Sequence, residues 1–335
     1  MGAVRAHAVA LSLALAACGS ETVSRPPEAP YDRQSLEQRA APVDAPSLSA
    51  TQKEREIADK YLAALAAPEA AALGPVLADD VHFTLAGLVT TDAIGRRDVL
   101  AAHDKLFGHY DHKSVVASRV LLTSDTQSIE WTLAARDTAS GKPIGIRGIA
   151  LVTTKDDGTI RDIHLCFDQG IVQAQTTGEP KVLAKLPLAT LPSARREEVE
   201  QANVAEEAAN VKVLAGAVDA LDKDEAGFLA AFAENAEIFT QQLASPLKGR
   251  NDLHAYYRTM HATIDGLDAT VDNRWGVGKY AIVEYHVVGR QRAKYQYVPV
   301  KDPVIKLYFV DVAEMRDAKI ARVWRYDNPL QILQP

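Results

Sequence analysis

Cysteine is nearly missing from this chain of 335 residues: Cys18 and Cys166 are the only two. At most one internal disulfide is therefore available. Long apolar runs are missing too. Beyond residue 20 no unbroken stretch reaches the ~18 residues that a membrane-crossing helix needs. Clustered Lys and Arg are absent, and the net charge is −7 at pH 7. That composition excludes nucleic acid as a partner, because phosphate backbones demand concentrated positive charge. There is no P-loop, no G-x-G-x-x-G and no G-x-S-x-G elbow, which removes the common nucleotide sites and the serine-hydrolase site. What remains has an ordinary globular balance, 47% apolar and 24% charged, and enough length for two domains.

The start reads MGAVRAHAVALSLALAACGS. Arg5 supplies a positive n-region, and Ala8 to Ala17 is an apolar core of signal-peptide length. Leu15-Ala16-Ala17-Cys18 matches the lipobox of bacterial lipoproteins. The resemblance implies cleavage before Cys18, acylation of its thiol, and a lipid anchor in a membrane. Gly19 rather than Asp follows the cysteine, which under the usual sorting rule implies the outer membrane, facing the periplasm or the cell exterior. With Cys18 carrying lipid, Cys166 has no partner. It sits in the alternating run IHLCFD and reads as a buried, inert thiol.

Residues 19–48, rich in Pro, Ser, Glu and Ala, read as a flexible tether. A Pro-rich break at 178–193 separates a first domain, 50–177, from a second, 194–335. Each domain repeats one plan. A first helix (Ile57, Tyr61, Leu62 and Leu65 on one face, or about 197–220) precedes a short helical piece, a strand, a third helix and four strands. Gly95-Arg-Arg-Asp98 opens the third helix of one copy and Gly249-Arg-Asn-Asp252 that of the other, an offset of 154. Glu130-Trp131 against Glu284-Tyr285 keeps that offset, and Asp168 against Asp327 gives 159. The repeat length is far beyond the 20–50 residues of solenoid units, so it marks a duplicated domain.

This order, together with KYLAAL, LADDVHF, the GR-x-D helix start and the terminal aromatic–Asp pairs, resembles the NTF2-like superfamily with its SnoaL-like and ketosteroid-isomerase-like branches. The resemblance implies an α+β fold of two cone-shaped domains, each a curved antiparallel sheet wrapped around about three helices. It implies a pocket in each cone and, because relatives often form homodimers, that domains 1 and 2 pack as a pseudo-dimer. In the isomerase branch a first-helix tyrosine and a strand carboxyl polarise the substrate while an aspartate moves the proton. Tyr61 matches the tyrosine. The base position falls on Leu85 and the second acid on Ala150, so that chemistry is lost in domain 1. In domain 2 the corresponding first-helix and base positions are Gly216 or Ala217 and Thr240.

Catalytic candidates are Tyr61, His82, His164 and Asp168, where a His and an Asp on neighbouring strands could act as base and orienter. Asp168 and Asp327 could instead simply anchor strand ends. Ligand-pocket candidates are Glu130, Trp131, Glu284, Tyr285, Trp324 and Asp327, with core packing or solvated faces as the structural alternative. Tyr295 and Tyr297 belong to an extra aromatic piece, KYQYVPV. The histidines of HDKLFGHYDH, including His103, cross a helix end and read as solvated. No metal site and no cofactor is expected. The reading is a membrane-anchored lipoprotein that binds a small apolar ligand or a protein partner; the alternative is a cyclase, isomerase or dehydratase acting in domain 1.

Overall fold

The computed structural model describes residues 48–85, 91–202, 204–300 and 304–333. Cys18, the signal segment and nearly all of the tether lie outside these residues. The first copy begins with α1 (Leu48–Ala66) and a 3-10 turn (Ala70–Val76). Then come β1 (Leu77–Leu85), β2 (Thr91–Ile94), α2 (Arg96–Phe107), β3 (Tyr110–Leu122), β4 (Thr126–Asp137), β5 (Pro143–Thr154) and β6 (Ile160–Phe167). Two short helices, α3 (Gln169–Thr177) and α4 (Lys181–Ala184), and a strand, β7 (Glu197–Glu200), connect to the second copy. That copy consists of α5 (Val204–Ala220), α6 (Glu225–Ala231), β8 (Phe232–Thr240), β9 (Leu247–Lys248), α7 (Gly249–Thr263), β10 (Ile264–Val277), β11 (Tyr280–Gln291), β12 (Val304–Arg316) and β13 (Lys319–Asp327).

Two sheets result, ordered β2-β1-β6-β5-β4-β3-β7 and β10-β11-β12-β13-β8-β9. The α+β architecture read from the sequence is thus present twice. One stretch differs. Residues 197–200 were expected to open a long helix, but they form β7, parallel to β3. Arg55 holds Glu198 and Glu200, and Arg196 holds Asp59, so ion pairs to α1 draw this stretch out along the first sheet.

Alternation along each strand divides the side chains between two environments. In the first copy Ile57, Tyr61 and Leu65 of α1 pack with Phe83, Trp131, Leu133, Ala150, Val152, Leu165 and Phe167 in one core. The second copy repeats this with Leu214 and Val218 of α5 against Val283, Tyr285, Leu307 and Phe309. Neighbours of opposite parity face the other copy. Leu121, Ile149, Leu151 and Cys166 of the first sheet share a cluster with Val277, Tyr280, Ile282, Val310, Val312 and Tyr326 of the second.

Candidate functional site

In the first copy's interior, α1 supplies Tyr61, α2 supplies His103 and Phe107, and β4 supplies Trp131. The rings form a chain: Tyr61 to His103 at 6.2 Å between centroids, His103 to Phe107 at 6.0 Å, Phe107 to Trp131 at 6.3 Å. Gly148 lies opposite Trp131 in the ladder, and a Cβ there would collide with the indole, so this glycine seats the ring. Tyr61 Oη, His103 Nε2 and Trp131 Nε1 are buried and have no hydrogen-bond partner. Burial alone lowers His103 to about 4 and leaves it neutral at physiological pH, and burial raises Tyr61. A cavity of about 10 Å³ adjoins His103, lined also by Leu65, Leu73, Asp104, Phe107 and Lys113 among others, the least space that holds one water. Leu85, Ala150 and Leu165 keep the surrounding wall apolar and fully buried.

Strand register shows what the second copy has at the same places. The row Trp131–Gly148–Phe167 corresponds to Tyr285–Phe309–Asp327. The row Ile129–Ala150–Leu165 corresponds to Val283–Asp311–Arg325. By register, then, Asp327 takes the place of Phe167 rather than that of Asp168. Arg325 donates through Nε and Nη2 to both Asp311 oxygens at 2.8 and 2.6 Å, and through Nη1 to the Tyr256 hydroxyl. Tyr285 Oη donates to Asp311 at 3.3 Å, and its ring stacks on Phe309. Where the first interior is apolar with orphaned polar atoms, the second holds an ion pair whose charged atoms have partners.

A third constellation lies between the copies. His164 Nδ1 meets Glu284 Oε1 at 2.8 Å, Asn273 donates to Oε2 at 2.9 Å, and Tyr308 Oη donates to Oε1. Burial would raise Glu284, but the His164, Tyr308 and Asn273 contacts together outweigh it and hold the carboxylate below its ordinary range. Burial would likewise lower His164, yet Glu284 holds it above its ordinary value. Glu130 pairs with Arg119 and accepts from Tyr326 at 2.7 Å, and Trp324 lies 3.8 Å from the Arg119 guanidinium carbon. Asp168 caps α3 through the Gly170 N–H at 2.8 Å and accepts the Tyr297 hydroxyl at 2.6 Å.

The sequence candidates therefore occupy different places. Tyr61 and Trp131 line the first interior, and Tyr285 and Asp327 face the second. Glu130, His164, Glu284 and Trp324 lie at the seam, and Asp168 sits at the end of β6. His82 is on β1 beside Asp92, its side chain 37% exposed, so the four catalytic candidates do not converge. The solvated reading of His103 is overturned: it is 3% exposed. Its spacing of four from Val99 and of three and four from Leu106 and Phe107 puts it on the inner face of α2, a signal the helix-end reading passed over. Asp311 and Arg325 were also missed, although both stand at inward parity in VDVAE and RVWRYD. Among the described residues no group of three or more His, Cys, Asp or Glu is arranged to hold a metal ion.

The SnoaL-like domain family matches the chain twice, over residues 58–163 and 214–323. Solved structures align with one copy at a time. A candidate SnoaL-like polyketide cyclase from Jannaschia sp. CCS1 is 14% identical, covering 40% of this chain and 94% of its own, TM-score 0.36. A Catenulispora acidiphila protein with a ketosteroid isomerase-like fold, in complex with trimethylamine, is 19% identical over 39% and 98%, TM-score 0.34. TsrD from Streptomyces laurentii is 17% identical over 38% and 92%, TM-score 0.34. No curated protein matches.

Proposed function

Because the chain belongs to the SnoaL-like domain family in both of its copies, we propose that it is a two-copy binding protein. The first copy takes up a small, neutral, largely apolar molecule, and the second serves as its permanent structural partner. One observation carries this: three inward polar groups, Tyr61 Oη, His103 Nε2 and Trp131 Nε1, lack partners in the same interior. Buried polar groups are almost always hydrogen-bonded, and each orphan costs about 1–3 kcal/mol. A guest with one or two polar atoms, acceptors for the Tyr and Trp hydrogens, removes that cost. The part of the guest that meets these three groups must be neutral, because with His103 uncharged none of them carries a charge, and an unpaired buried charge is prohibitive. The 3-10 turn bearing Ala70 and Leu73 forms part of the cavity wall, and its displacement would enlarge the space.

We do not extend the proposal to catalysis in domain 1. Tyr61 and His103 are ring neighbours without a hydrogen bond between them, and no carboxylate joins them. The second copy's Asp311–Arg325 pair is complete in itself, which suits a filled scaffold. Cys18, in the Leu15-Ala16-Ala17-Cys18 sequence, is proposed to carry the lipid that fixes the protein to the outer membrane. The test of binding is native mass spectrometry of the purified protein. Expected is one lipophilic neutral molecule per chain, retained by the unaltered protein and depleted in Trp131→Phe and Tyr61→Phe. Equal retention by both variants would remove the first interior as the site. The test of anchoring is labelling with an alkyne fatty acid: label and membrane association should both disappear in Cys18→Ser.

A further inference from the structure

The binding proposal leaves the titratable groups buried between the copies without a role. Gln242 Nε2 donates to Asp168 Oδ2 at 2.8 Å and to Asp327 Oδ1 at 3.2 Å, so those two oxygens lie no more than 6.0 Å apart. Asp168 is 1% exposed and Asp327 0%. From the 292–300 segment, Tyr297 donates to Asp168, and Tyr295 and Gln296 to Asp327 at 3.4 and 3.3 Å. Arg325 of β13 is the cation bearing on Asp327, but Asp311 of β12 already holds it in a two-point pair. Tyr256 of α7 donates no hydrogen bond to either aspartate, and the Cys166 thiol of β6 is held neutral by burial. Two negative charges here would therefore share too little positive charge. One proton shared by the pair removes one of the two charges and adds an O–H donor to the cluster, while the Gln242 amide keeps donating to both side chains.

The second contact across the seam is His164 of β6 with Glu284 of β11. The charged or titratable groups around it are Asp162 on β6, Asp272 on β10, and Tyr308 on β12. His286 is taken up by Asp272 at 2.8 Å.

We propose that the junction between the two copies is an acid-tightened clamp, in which Asp168 and Asp327 carry one proton between them on the Gln242 amide while protonated His164 pairs with Glu284. Burial pushes Asp168 up to about 6 against its Tyr297 and Gln242 donors. Burial and the neighbouring Asp168 charge push Asp327 up to about 7. Both carboxyls thus sit above their unfolded value, so their contribution is full below about pH 4 and is lost as pH rises through about 6–7. His164 is likewise raised, so its share is full below about pH 6.5 and is lost as pH rises through its folded value. Over the range where Glu284 stays ionised, the two contacts act in the same direction.

The decisive measurement is carbon-13 NMR of the aspartate carboxyls in the full, unaltered chain. The pair should take up its shared proton with a midpoint above about pH 5.5, seen as at least one aspartate carboxyl resonance titrating there. If every aspartate titrates below about pH 5.5, the clamp is overturned. Thermal unfolding gives a second reading. The unaltered chain should melt roughly 2–4 °C or more higher at about pH 5.5 than at about pH 8. Asp327→Asn, which keeps the protonated shape, should flatten the lower part of that dependence, and Glu284→Gln the upper part. An unchanged slope in both variants rejects the proposal. If either variant fails to fold, the carboxyl titration of the unaltered chain decides alone.

Discussion

Asp311 and Arg325 stand where the first copy has Ala150 and Leu165, and that exchange separates the two interiors. Buried ion pairs repay their desolvation only when complete. Arg325→Leu alone strands a buried carboxylate and should cost roughly 3–5 kcal/mol in urea unfolding. Asp311→Ala with Arg325→Leu, which installs the first copy's residues, should recover most of that loss; no recovery would mean the pair does more than fill space. In the first copy Gly148→Ala drives a methyl into the Trp131 indole and should cost roughly 1–3 kcal/mol, with a shift in tryptophan emission. The 3.6-residue repeat put Tyr61 on the inner face of its helix, and the family resemblance made it a candidate. His103 was not legible, because its pattern was judged by the polar residues after the helix rather than by the apolar ones beneath it.

Elements were the most legible level. The alternation of apolar and polar residues predicts β3 to β6 and β10 to β13 closely, since a half-buried strand must alternate. Capping follows residue type: Asp224, just ahead of the short helix α6, accepts the Gly227 N–H at 2.9 Å. Asp224→Ala should cost about 1 kcal/mol by thermal or chemical unfolding, because a helix N–H loses its acceptor. The glycines of the GR-x-D repeats serve geometry: Gly95 and Gly249 have φ of 87° and 72°. An alanine at Gly249 should therefore destabilise by roughly 1–2 kcal/mol even with room for its methyl. β7 was not legible. Four residues reading Glu-Glu-Val-Glu carry no strand period, and they are extended because β3 offers an open edge and α1 offers Arg55.

At the scale of the molecule the seam is the dominant feature. It buries the outer faces of both sheets, with Leu121, Ile149, Leu151 and Cys166 on one side, and adds charged contacts at Glu130, His164 and Asp168. A fragment ending before the second copy would expose that apolar face, and surfaces of this kind associate. Residues 48–202 alone should accordingly run as a dimer or aggregate in size-exclusion chromatography; a stable monomer would show that the seam adds little. Cys166, buried and with its thiol pushed well up by burial, should resist thiol reagents in the intact chain and react in that fragment if the face opens.

Sequence alone determined that one α+β domain occurs twice and where its long strands lie, and the family resemblance added that the isomerase base position falls on Leu85. The first two follow from local rules: periodicity, turn chemistry, and a repeat that can be counted. Only the tertiary structure decided which polar residues face which interior, that His103 is buried and unpartnered, and that Glu284 meets His164, 120 residues away. Such pairings depend on how two curved sheets lie against each other. One residue of register sends a side chain to the opposite face, and no local pattern in the chain records that outcome.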